Sequence, residues 1–566
     1  MVVRLASVLP RLLSPHQSGF VSGRSITDNI LLASEMCHGI TLGNQDIVLK
    51  LDMAKAYDRV SWFFLVFVMR KMGFSEVCID LVYRAVSNVW YSVIVNGVKE
   101  GFFTSSRGLR QGDPLSPSLF IIAAEVLSTF LARVYQDEAV LRFSQPPGTP
   151  HIHHLSYADD VIIFSTGRQG VICKVIRALK DYEGISGQMV SFPKSAFYMH
   201  PDTSGRVIRR IRDITRCIHR SLPFTYLGCP IYVERKKCVY FSSVVDKVIR
   251  DLEQYFAAFF WRQSGGARYN WASWKTLSLP KKEGGVGFLD HDLMVWASSA
   301  KLWRNFRKVY SLWGSFMTAK YCSRVHPVAK QARTSDSHTW KRMLSVRNEV
   351  EAVLGWRLTH GDVNLWWDNW SGIGTLGRLY PFPGVEYFGD LLSDFIQDGE
   401  LDLSAYDDLL PLGLEADMSR LGQRVADIPI WRVATDGLFS FSSAKSLFRP
   451  EPVQSDPLLS ACWYKHLPFK VSFLSWRVLR GRLPTDDAMA RFGRLIVSRC
   501  WCCNKPVRET IDHIFYAGDT ARAVLGFFMG SLNLRFSHRG LRTLLTGWKR
   551  VVSHNRLVAF VICRLP

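Results

Sequence analysis

The 566-residue chain is poor in acid: 49 Asp and Glu stand against 71 Lys and Arg, a net charge of +22. That deficit favours a polyanionic partner, nucleic acid before a membrane surface. No internal repeat or low-complexity tract is present. The longest strongly apolar run, near Trp62 to Met69, is too short to cross a bilayer, so no transmembrane segment is expected. The twelve cysteines are scattered, apart from Cys500, Cys502 and Cys503. This argues against a disulfide scaffold and for reduced intracellular thiols. No acid precedes Asp28, while Arg4 and Arg11 do, which mimics a transit peptide. That reading fails because residues 16–29 carry a motif of their own.

With 48% apolar and 21% charged residues the chain is globular, and its length suggests three or four domains. Ile47 to Met53 reads as a buried strand. Asp58 to Met72 reads as an amphipathic helix stopped at Gly73. Ile152 to Tyr157 and Val161 to Ser165 are β-like runs joined by an Ala-Asp-Asp turn. Gly205 to Arg250 holds eleven Lys or Arg against three Asp or Glu. Singly these are solvated residues, and as a block they suggest a nucleic-acid track. Residues 255–455 are rich in tryptophan, including Trp261, Trp271, Trp274, Trp296, Trp303, Trp366, Trp367 and Trp370. Most are expected to pack rather than stack on bases.

Asp52 ends the first strand, and Asp159 and Asp160 lie in the hairpin turn 107 residues later. Only a fold can unite them. Together they repel unless a cation neutralises them. Two hard divalent ions about 3.5–4 Å apart, held by carboxylates, are what nucleotidyl transfer requires.

These residues also carry a resemblance. Lys50-Leu51-Asp52-Met53-Ala54-Lys55-Ala56-Tyr57-Asp58 resembles the first catalytic motif of reverse transcriptases. Arg107-Gly108-Leu109-Arg110-Gln111-Gly112-Asp113-Pro114-Leu115-Ser116-Pro117 resembles the second, and Tyr157-Ala158-Asp159-Asp160 the third. Ser186-Gly187-Gln188 through Lys194-Ser195 resembles the fourth. Phe224-Thr225-Tyr226-Leu227-Gly228 resembles the primer-grip turn. His16 to Ile26, and Trp271 to Trp274 with Pro280 to Phe288, resemble segments of plant LINE (non-LTR) retrotransposon enzymes.

The resemblance implies an α+β fold: a right-hand polymerase palm of antiparallel sheet with packed helices, with truncated fingers and thumb. It implies an RNA-directed DNA polymerase with RNA template, DNA primer and dNTPs as partners. No membrane and no specific protein partner are expected. The implied location is the nucleus, otherwise the cytoplasm, and not secreted. By the same resemblance Asp52, Asp159 and Asp160 are catalytic and hold two Mg²⁺ ions. Tyr57 is a steric gate against a ribose 2′-hydroxyl. Arg110, Gln111 and Gly112 line nucleotide and template, and Lys194 donates a proton to pyrophosphate. Arg24 is a template or phosphate contact, or equally a structural ion-pair partner.

Cys500-Trp501-Cys502-Cys503 and Glu509 to Phe515, after Pro468 to Thr485, resemble the zinc-binding domain that trails such enzymes, a mainly helical module. Cys500, Cys503 and His513 are candidate Zn²⁺ ligands. The family's fourth ligand is a cysteine at the position held here by Gly518, for which Cys502 and Asp519 are substitutes to weigh.

The expected domains are 1–232 (fingers remnant and palm), 233–330 (shortened thumb and connection), 331–455 (Trp-rich connection), 456–530 (zinc-binding-like) and 531–566 (tail). The start of the chain resembles the stretch after the family's basic finger motifs. Much of the thumb that the family carries after Arg250 is missing from the sequence. Both gaps predict poor polymerisation, so the alternative is an inactive nucleic-acid-binding relic. A third reading, a splicing or maturase-like factor, has no specific support.

Overall fold

The computed structural model describes residues 1–137, 140–233, 271–288, 290–308, 311–380, 389–397, 400–403, 427–449, 456–463, 467–491, 497–504, 506–531 and 540–552. Trp261, the family thumb segment after Arg250 and the second half of the basic block fall outside these residues. Met1–Ser243 with Ser299–Phe439 form one compact unit, and Val244–Ser298 with Ser440–Pro566 a second.

The first unit begins with helices α1 (Val2–Leu12) and α2 (Ile26–Cys37). Strand β1 (Asp46–Leu51) follows, and every residue but Lys50 is buried. Its apolar run Ile-Val-Leu is what a strand covered on both faces needs. After it come α3 (Trp62–Lys71), α4 (Glu76–Ser87) and the hairpin β2 (Trp90–Val95) and β3 (Val98–Thr104). Ser61 caps α3 by accepting from the Phe64 N–H. The helix therefore starts four residues later than Asp58, because residues 52–60 are spent on the site.

Helix α5 (Ser116–Val134) packs on α1, α3 and α6 (Gln169–Ser186). Leu119 to Ala123 are five consecutive buried residues, so no face of that stretch meets water. By length and composition α5 could cross a membrane, with mean hydropathy 1.5, and half of that window is buried inside the protein. As a whole helix it is longer than the apolar run Trp62 to Met69, although its own uninterrupted apolar stretch is shorter. The interspersed Ser116, Ser118 and Ser128, all buried, hide it from a reading by continuous runs.

Strands β4 (His154–Tyr157), β5 (Asp160–Thr166), β6 (Ala196–Met199) and β7 (Ile218–His219) complete a five-stranded sheet in the order β4-β5-β1-β6-β7. All pairs are antiparallel except β6 with β7. Leu49, Phe120, Ile163, Leu179 and Phe197 are at most 1% exposed and belong to one core, in which helices pack against the sheet of the α+β palm. Helix α7 (Gly205–Thr215) and the hairpin β8 (Phe224–Tyr226) and β9 (Cys229–Ile231) close the region.

The tryptophans of residues 299–439 are packing residues. Trp303, Trp313, Trp340, Trp366 and Trp431 are fully buried, and Trp340 stacks on Tyr321 at 4.7 Å. This segment is tied to α2 through Glu35, which is buried. Its carboxylate accepts from Lys320 Nζ at 2.7 Å, Tyr321 OH at 2.8 Å and Ser337 Oγ. In the second unit Trp271 and Trp476 share a core with Leu277, Val286, Leu459 and Phe473, while Trp296 is 41% exposed. The Trp476 indole N–H donates to the Gly284 carbonyl at 2.8 Å, which joins the Pro280–Phe288 segment to helix Phe469–Leu479.

Removing one partner of a buried charged cluster leaves the others unpaired, at a cost of about 3 kcal/mol. Glu35→Ala should therefore lower the stability of the first unit by about that amount in denaturant unfolding followed by tryptophan fluorescence. A loss below about 0.5 kcal/mol, the size of an exposed pair, would refute the buried role.

Candidate active site and zinc cluster

Antiparallel pairing of β1 with β5 sets Leu51 opposite Val161, so Asp52 emerges beside Asp160. Asp52, Asp159, Asp160 and Lys194 line one cleft of about 400 Å³, together with Lys50, Arg220 and Thr225 of β8. Burial, with the neighbouring Asp159 and Asp52, holds the Asp160 carboxyl above the usual range, against the opposing pull of Lys50. Such a crowd of oxygen donors fits a hard cation, which would relieve the repulsion.

The loop after α6 positions Asp52. The Asp52 N–H donates to Ser195 Oγ at 3.0 Å, and its carbonyl accepts from the Ser191 N–H at 2.8 Å. Ser195 Oγ donates in turn to the Ser191 carbonyl, closing the turn that carries Lys194 on the rim of the cleft. Gln188 donates to the Ala56 carbonyl at 3.3 Å and accepts from Tyr182 OH at 2.7 Å. The fourth motif is thus a brace for the first.

Tyr57 is half-buried and its ring stacks on Phe120 at 4.7 Å. Burial and then the charge of Asp159 push its phenol pKa up. The Tyr57 carbonyl accepts from the Leu109 N–H at 2.8 Å, tying the second motif to the first. Arg110, Gln111 and Gly112 follow on an exposed loop and are not among the cleft-lining residues. Arg110 pairs with Asp113, whose carboxylate also accepts from the Leu115 N–H at the start of α5. Arg24 is structural: it donates to the carbonyls of Pro10, Leu13, Ser14 and Gln17 and so gathers the end of α1.

In the second unit Cys500, Cys503 and His513 bring one donor atom each within 4.8 Å of one another. Cys503 Sγ lies 3.2 Å from His513 Nε2 and accepts from the Asp519 N–H, also at 3.2 Å. Asp519 opens the helix Asp519–Ser531, so the helix N-terminus favours a thiolate there. Burial and the neighbouring sulfurs hold the Cys500 thiol above its ordinary pKa. A cation among these donors would reverse that.

The family model described as reverse transcriptase (RNA-dependent DNA polymerase) matches residues 1–231. The chain carries a reverse transcriptase domain. A second model, zinc-binding in reverse transcriptase, matches residues 439–524 and contains the cysteine-histidine cluster. An uncharacterized mitochondrial protein of Arabidopsis thaliana is 44% identical over 75 residues, 13% of this chain and 62% of that protein. The Pol polyprotein of a type-2 retrotransposable element of Drosophila melanogaster is 25% identical over 182 residues, 32% of this chain and 16% of the polyprotein. The chain spans less than two thirds of either relative. Among solved structures, a telomerase from Candida tropicalis in complex with a telomeric RNA fragment has 13% identity and a TM-score of 0.30, covering 62% of this chain and 56% of that one.

The reverse transcriptase domain contains a clamp that the motifs did not announce. Ala158, first residue of the catalytic turn, has φ +57°, a conformation that costs a side-chain-bearing residue energy. The segment from His16 holds it there. Ser156 N–H donates to the His16 carbonyl and Ser18 N–H to the Ser156 carbonyl, both at 2.9 Å. Buried Gln17 Oε1 accepts from both Gly19 N–H, at 2.9 Å, and Ala158 N–H, at 3.1 Å. Gly19 lies so close that a Cβ would come 2.5 Å from the Ala158 nitrogen. Behind the turn, half-buried His16 and buried His153 and His154 stack at 4.4 to 4.8 Å, and His154 Nε2 meets Ser128 Oγ of α5 at 3.0 Å. Burial lowers all three ring pKa values, to about 4 for His16 and about 2 for His153, so these rings pack neutral.

Losing a buried acceptor or displacing the turn should misplace Asp159 without unfolding the palm. Gln17→Ala and Gly19→Ala are each expected to cut primer-extension rate by about 10²-fold, the scale of a 1 Å misplacement. Circular dichroism should stay unchanged. Wild-type rates in both variants would sink the clamp.

Proposed function

We propose that this chain is the reverse transcriptase of a non-LTR, plant LINE-type retrotransposon, extending a DNA primer on an RNA template with dNTPs. The supporting observation is the shared cleft of Asp52, Asp159 and Asp160, with Lys194 on its rim and the β8–β9 hairpin beside it. In this reading the three carboxylates would hold two Mg²⁺ ions, whose charge would favour the primer 3′-alkoxide and the leaving pyrophosphate. Tyr57, stacked on Phe120, would be the gate against a ribose 2′-hydroxyl. Lys194 and Arg220 offer positive charge to the triphosphate, and Lys194 Nζ gives the pyrophosphate its proton. Lys50 Nζ donates to the Thr225 carbonyl at 2.8 Å and so holds the primer-grip hairpin to the sheet beside the carboxylates. Cys500, Cys503 and His513 are the residues that would hold zinc in the second unit.

Primer extension on an RNA template with Mg²⁺ should give weak, short products, as the poor polymerisation expected from the sequence implies, and Asp159→Ala and Asp160→Ala should each abolish them. Absence of any extension by the unmodified chain, with Mg²⁺ or Mn²⁺, would overturn the polymerase reading.

The nucleic-acid track begins on α7, where Arg206, Arg209 and Arg212 are exposed, as is Arg216 just after it. Neutralised phosphates release counterions, with a log–log salt slope of about −0.9 per phosphate on duplex. Duplex affinity should fall steeply with salt, and Arg206→Ala/Arg209→Ala/Arg212→Ala should flatten the slope by about 2 to 3. An unchanged slope would remove α7 from the interface.

A further inference from the structure

Three donors converge in the cysteine-histidine cluster, and the fourth place is held by a residue with no side chain. A tetrahedral zinc with sulfur at about 2.3 Å and nitrogen at about 2.0 Å keeps neighbouring donors about 3.5 to 3.8 Å apart. Cys503 Sγ and His513 Nε2, at 3.2 Å, need only a slight parting to reach that spacing. A Cβ on Gly518 would sit 3.1 Å from that sulfur and 3.3 Å from that nitrogen, so position 518 faces the donors directly. Among the described residues no other Cys, His, Asp or Glu joins the group. Cys502 is exposed, and its carbonyl is engaged by Thr520 Oγ1 at 2.6 Å. Asp519 engages Cys503 through its backbone N–H. Gly518 itself is buried while Cys503 and His513 are partly exposed, so an outside donor would have to enter past those two side chains.

We propose that the cluster is an open metal site: Cys500, Cys503 and His513 hold a zinc ion whose fourth position, beside Gly518, is taken by a small exogenous donor. The proposal rests on the zinc reading of this module and goes beyond it. A closed structural site has four protein ligands, whereas three leave a position exchangeable with solution. The chain should therefore bind zinc more weakly than a four-ligand site does, and its metal should respond to free imidazole or thiol.

The test uses the full chain, stripped of metal and titrated with Co²⁺, read by the visible absorption of the bound ion. Expected are bands with sulfur-to-cobalt charge transfer, lost in Cys503→Ser and His513→Ala. Adding imidazole or 2-mercaptoethanol should shift the bands of the unmodified chain. In Gly518→Cys the shift should vanish and Co²⁺ affinity should rise by at least about tenfold, as a fourth protein ligand replaces a free one. A Cβ at 518 also comes 2.7 Å from the His513 carbonyl, so this variant requires a local backbone shift. Should it not fold, the imidazole titration of the unmodified chain decides alone. Cobalt bound with bands indifferent to both donors would overturn the open site and leave zinc binding standing. No cobalt bound through Cys503 and His513 would overturn both.

Discussion

The register between β1 and β5 is the constraint on which the domain depends. Leu51 lies opposite Val161, which puts Asp52 next to the turn that carries Asp159 and Asp160. A slip of one residue would turn every side chain of β1 to the other face. The strand cannot slip cheaply, because Ile47, Val48, Leu49 and Leu51 are all buried and β6 pins its other edge. Apolar burial thus holds in place a group of charges that would push itself apart.

The cost of that arrangement is visible around it. Ala158 is held in a left-handed conformation, and Asp160 has its carboxyl shifted against ionisation. Both are local losses of the kind a functional site stores and the surrounding fold must outweigh. The compensation is a ring of backbone hydrogen bonds: residues 16–19 on the third motif, Ser191 and Ser195 on Asp52, Gln188 on Ala56. Each brace comes from a segment distant in sequence, so the site is rigid only when the whole palm is folded.

The second unit follows a different logic. Among the described residues its core of Trp271, Trp476 and their neighbours is small, and the cysteine-histidine cluster lies on the short 497–519 segment. There a metal ion would supply cohesion that apolar area does not. The helix beginning at Asp519 contributes a backbone N–H to Cys503, so one helix end serves the metal ligand instead of a capping side chain.

The strand ending at Asp52, the Asp159–Asp160 turn and the order of the motifs were legible in the chain because they are local: an apolar run, a turn pair and fixed spacings. Cys500, Cys503 and His513 were legible for the same reason. The role of Gln17 was not, because its oxygen accepts from a backbone N–H 141 residues away and leaves no matching side chain to notice. Arg24 read equally as a phosphate contact or an ion-pair partner. The Glu125 carboxylate does act on its charge, but its hydrogen-bond partners are main-chain carbonyls around the end of α1, which carry no residue identity. Nor does sequence distinguish an exposed Gln111 from one lining the cleft. Composition and periodicity determined which residues bear charge and which must be buried. Which backbone groups those residues meet was decided by tertiary packing, since a hydrogen bond to the main chain depends on position and not on the identity of its partner.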